Sequence, residues 1–103
     1  MDRKKLEQLW DDLEDAWRSP QTAADLAVLA KRCGRELKSG ANHPMWHSRF
    51  PEHRAFPLAS HGGNPTLGHH IRKVVLTALG ADWEAWAEIV EAEEKKRPKD
   101  GER

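Results

Sequence analysis

The sequence has a single cysteine, no tyrosine, and no apolar run long enough to cross a membrane. A lone thiol, Cys33, excludes an internal disulfide and fits a reducing compartment. A membrane helix needs roughly 18 or more consecutive apolar residues, and no stretch approaches that. The start, Met1-Asp-Arg-Lys-Lys, is basic but leads into no apolar segment, so no secretory signal is expected and the expected location is cytoplasmic. Zinc-finger and H-E-x-x-H spacings are absent too. With one Cys beside six His, no metal site or other cofactor is expected.

What remains is a chain of 103 residues, enough for one domain with a shallow core. Five Trp and two Phe supply all of its aromatic bulk. Cys33, following Ala27 and Ala30 in a helical pattern, reads as a small buried side chain.

The formal net charge of zero conceals a strong segregation. Residues 31–75 carry eight Lys/Arg against two acids, a net of +6, and all six histidines fall between His43 and His70. Residues 1–30 carry four bases and seven acids, and residues 76–103 five bases and eight acids, each a net of −3. Basic side chains neutralise phosphate, and histidine titrates near neutral pH. A basic, His-rich centre between acidic flanks therefore suggests a surface that handles RNA or DNA. The plainer alternative is that the acidic flanks are solvated helix faces.

Leu6, Leu9, Trp10, Leu13 and Trp17 recur at spacings of three and four, which predicts an amphipathic helix over 3–18 ended by Ser19-Pro20. Thr22-Ala-Ala-Asp25 has the form of a capping box opening a second helix to about Arg32, with Gly34 as its stop. Short strands are expected over 35–39, 44–49 and 54–58, the last confined to an edge by Pro57. Helix signals resume at Thr66, stop at Gly80, and restart after Asp82 with Trp83, Trp86, Ile89 and Val90 as a stripe. The expected order is α-α-β-β-β-α-α, an α+β fold with a three-stranded antiparallel sheet packed on helices.

Three stretches carry a resemblance. Gly40-Ala-Asn-His43-Pro-Met-Trp46, then Phe56-Pro57-Leu-Ala-Ser-His61, then Thr66-Leu67 through Ile71 to Leu79-Gly80, resemble in order and spacing the HicA toxins of type II toxin–antitoxin systems. The likeness covers residues 22–80. Residues 1–18 and 82–96 become added helices on one domain of 1–103, and 97–103 a frayed charged tail. Asn64-Pro65 departs from the basic residue and glycine that precede Thr-Leu in that family, and the Thr66–Gly80 spacing is longer.

The resemblance implies a double-stranded-RNA-binding-like (dsRBD-like) fold, a metal-independent ribonuclease acting on mRNA, and a HicB-like antitoxin partner. It also implies that His43 is the catalytic residue. That role is chemically apt, because an imidazole with a pKa near 6.5 both accepts and donates protons at neutral pH. Candidate RNA contacts are Arg35, Lys38, Asn42, Arg49, His61, Thr66, His69 and Lys73. Of these, His69 and Lys73 share a helix face at i and i+4 behind a Gly62-Gly63 loop. Two further readings stand beside this one: a non-catalytic nucleic-acid-binding module of the same fold, and a protein–protein interaction domain using the Trp-bearing terminal helices toward a partner or a homodimer.

Overall fold

Three helices and one hairpin make up the computed structural model, which describes residues 1–39, 44–58 and 66–96. The first helix, α1, spans Arg3–Arg18, with the Asp2 side chain accepting from the Lys5 amide at 2.8 Å as its N-cap. Its leucine stripe is the buried face: Leu6, Leu9 and Leu13, joined by Ala16. Trp10 and Trp17 lie at the margin of that face and stay about 40% exposed. Trp10 nevertheless rests on Trp83, with ring centroids 4.6 Å apart.

The second helix, α2, covers Ala23–Arg32, and the expected capping box is present in both directions. Thr22 Oγ1 accepts from the Asp25 amide at 3.1 Å, and the Asp25 carboxylate accepts from the Thr22 amide at 3.0 Å. Gly34 ends the turn with φ of 87°, a left-handed conformation that suits glycine. A Cβ added there would meet Trp86 Cζ2 at 3.2 Å, so the position also serves a close approach.

Strands β1 (Glu36–Ser39) and β2 (Pro44–His47) pair antiparallel, with Leu37 opposite Trp46 and Ser39 opposite Pro44. The expected third strand is reduced to one bridge, Trp46 to Phe56, closed by two backbone hydrogen bonds of 2.8 and 3.2 Å. Pro57 has no amide hydrogen to extend that pairing. The architecture is thus α+β with a two-stranded sheet among the described residues, not three.

The last helix, α3, departs most from expectation. It runs unbroken from His69 to Lys96, passing through Gly80 where a stop was expected. A glycine inside a helix costs about 1 kcal/mol relative to alanine, which packing readily offsets. Here Leu76 and Leu79 just before it and Asp82 just after it are all fully buried. The core joins α1, α2, the hairpin and α3 through Leu9, Leu13, Leu26, Leu29, Trp46, Phe56, Val75, Leu76 and Leu79. Cys33 lies inside it, as expected, and burial pushes its thiol up to about 12. No helix among the described residues is long and apolar enough to cross a membrane.

Candidate nucleic-acid interface

The hairpin is held to α3 by a buried polar cluster. Asp82 is fully buried, and its carboxylate accepts from Arg35 Nε at 2.6 Å and Arg35 Nη2 at 3.2 Å. It also accepts from Ser48 Oγ at 2.9 Å, and His53 Nδ1 lies 2.7 Å from the same oxygen as Ser48. A carboxylate only accepts, so His53 Nδ1 carries the hydrogen. Arg35 uses its remaining nitrogen, Nη1, to donate to the carbonyls of Trp46 and Arg54 at 3.0 and 2.9 Å. Its guanidinium also lies over Phe56, 4.6 Å from the ring centroid. One charge pair therefore ties β2, residues 48–54 and α3 together.

This arrangement corrects the role expected of Arg35. Its side chain is fully buried and each guanidinium nitrogen is engaged. It organises the hairpin from beneath and does not face a nucleic acid.

The outward face of the hairpin carries different residues. Glu36 pairs with His47, and Lys38 with Met45. Side chains alternate across a strand, so these four share the face opposite Trp46. Lys38, His47 and Arg49 are exposed. With Gly34, Glu36 and Ser48 they line a mostly polar cleft of about 260 Å³. None of the three has an acidic partner within 4 Å among the described residues. Arg49 instead lies over the ring of Trp86, its guanidinium carbon 5.3 Å from the centroid.

The expected contacts on α3 are separate from this cleft. Thr66, His69 and Lys73 are all exposed. Thr66 bridges Thr22, and the Leu67 amide donates to the Gln21 carbonyl at 2.8 Å, which fixes the approach to α3. Arg72 donates to the Ser19 carbonyl at 2.9 Å, and its Nη2 lies 3.2 Å from His69 Nδ1. His43, Asn42 and His61 lie outside the described residues. The Ser39–Pro44 pair closes the described hairpin on either side of residues 40–43.

Sequence reasoning missed the cluster itself. Asp82 reads as a helix cap after Gly80, and His53 as part of a connection. No spacing rule joins Arg35 to a carboxylate 47 residues away. The only hint was an acid one residue before Trp83 on an otherwise apolar stripe. No group of three or more His, Cys, Asp or Glu among the described residues is arranged to hold a metal ion. No family model matches the chain, and comparisons with curated proteins and with solved structures return no match.

Proposed function

We propose that the chain is a HicA-like, metal-independent ribonuclease that cleaves mRNA, works in the cytoplasm and is neutralised by a cognate HicB-like antitoxin. The observation that carries this reading is the order helix, hairpin, helix, with Gly40-Ala-Asn-His43 between the two paired strands. Residues 54–58, bridged to β2 through Phe56, take the place of a third strand in a dsRBD-like core. Lys38 and Arg49, exposed on the hairpin side beside His47, supply positive charge for a phosphate backbone.

In this reading His43 takes the proton of the ribose 2′-hydroxyl or returns one to the leaving 5′-oxygen. The 2′-oxygen bonds to phosphorus as the bond from phosphorus to the 5′-oxygen breaks, leaving a 2′,3′-cyclic phosphate. General acid–base assistance of this kind contributes about 10²- to 10⁴-fold. Cleavage of RNA in the presence of EDTA, lost in His43→Ala with the fold intact, is the expected result. Cleavage unchanged in that variant would remove His43 from the chemistry.

A second reading, a non-catalytic RNA-binding module, draws on the positions of the other histidines. His47 is three residues beyond Pro44, about 10 Å along the strand, and His53 is bound to Asp82 beyond that end. His53 is thus committed to a buried carboxylate rather than free for acid–base chemistry. RNA binding without cleavage by the unaltered protein would favour this reading.

A further inference from the structure

Arg49 is held in an unusual setting for a surface arginine. The backbone on either side of it is fixed: Ser48 Oγ donates to the buried Asp82 carboxylate at 2.9 Å and accepts from the Phe50 amide at 3.1 Å. The ring beneath it is fixed as well. Trp86 Nε1 donates to the Cys33 carbonyl at 2.7 Å, Phe50 meets Trp86 edge-on at 5.5 Å, and Gly34 packs close beneath it, where a Cβ would meet the ring at 3.2 Å. An arginine over a tryptophan face gains cation–π attraction, and its planar guanidinium has a second, outward side. Arg49 also lines a polar cleft with Lys38 and His47 on its wall.

We propose that Arg49, stacked on Trp86, is a docking subsite for an unpaired base of single-stranded RNA, with Lys38 and His47 holding the adjoining phosphate. This rests on the RNA-handling reading above and names the form of its substrate. A duplex keeps its bases stacked on one another, so it cannot offer a base face to the guanidinium; a single strand can. Glu36 on the cleft wall accepts from a base amino group, a contact that an unpaired base leaves open. The subsite thus engages one base and its phosphate. It sets register and strandedness and is not part of the acid–base chemistry.

The test uses the full chain carrying His43→Ala, so that bound RNA persists, and a labelled single-stranded RNA octamer read by fluorescence anisotropy. Arg49→Ala is expected to weaken binding by about tenfold, the scale of one lost base stack. Arg49→Lys, which keeps the charge but loses the plane, is expected to weaken it nearly as much. The octamer annealed to its complement is expected to bind about tenfold more weakly than the single strand. Thermal melting of both variants serves as the folding control, since Arg49 is exposed. Binding by Arg49→Lys equal to the parent would mean an acidic partner recognised by charge alone, and would overturn the proposal. Duplex binding as tight as single-strand binding, or no single-strand binding at all, would also overturn it. Cleavage by the protein with His43 intact is scored separately: cleavage that ignores Arg49 removes the subsite and keeps the ribonuclease. Arg49-dependent binding without cleavage keeps the subsite and removes the ribonuclease.

Discussion

The two sides of α3 hold their neighbours by opposite means. Toward α1 the buried contact is apolar: Leu6, Leu9 and Leu13 are all but fully buried, and polarity enters through Trp83 Nε1, which donates to the Leu6 carbonyl at 2.7 Å, and through an exposed Arg3–Glu94 ion pair at 2.7 Å. Toward the hairpin the contact turns on a single carboxylate. β1 is exposed along its length, and β2 buries only Trp46. Apolar contact scales with area and has no preferred direction. A four-residue strand pair with one buried side chain has little area to offer, so directional bonds to Asp82 do the positioning. The lesson is that a small hairpin fixed from beneath by polar bonds leaves its outer face free for a ligand.

The largest effect that would break this contrast is loss of the carboxylate. Asp82→Ala leaves the Arg35 charge buried without a partner, which typically costs about 3–5 kcal/mol. Urea denaturation should show that loss, and the double variant Arg35→Met/Asp82→Leu should recover much of it. If the single variant cost no more than a surface change, the polar account of the hairpin would fail. On the apolar side, Leu9→Ala should cost about 3 kcal/mol through the cavity it leaves. Amide exchange of β1 and β2 in that variant should change only in step with global stability.

The smallest expected effect concerns Cys33, at the boundary of the two sides. Burial first, then the nearby Asp82 charge, push its thiol up to about 12, whereas an unfolded thiol ionises near 9. Between those values the unfolded chain releases a proton that the folded one keeps, so stability falls as pH rises from 9 toward 12. The slope from this group is at most about 1.4 kcal/mol per pH unit. Cys33→Ala should flatten the urea midpoint between pH 9 and 10, and the native thiol should react slowly with iodoacetamide at pH 8.

The local signals in the sequence translated well. The Thr22/Asp25 box, the leucine stripe of α1 and the left-handed Gly34 each depend on residues within a few positions of one another, and each is present. Two local signals misled. Gly80 read as a stop, but tertiary burial of Leu79 and Asp82 carries the helix past it. Residues 54–58 read as a strand, but Pro57 and a single bridge leave them short of one. Among the described residues, Trp10 of α1 meets Trp83 of α3, while Trp86 turns to Phe50 and Arg49. At the candidate interface, Lys38 and Arg49 were legible as exposed cations because charge patterning is local. Arg35 was misplaced for the complementary reason: its partner is far off in sequence, and nothing near it in the chain distinguishes a buried guanidinium from a solvated one.

Adjacent residues on a helix point about 100° apart. Asp82 and Trp83 are such neighbours, and each makes a directional contact to one side of α3, Asp82 to the hairpin and Trp83 to α1. A distortion of α3 at this one turn is therefore felt by the hairpin and by α1 alike.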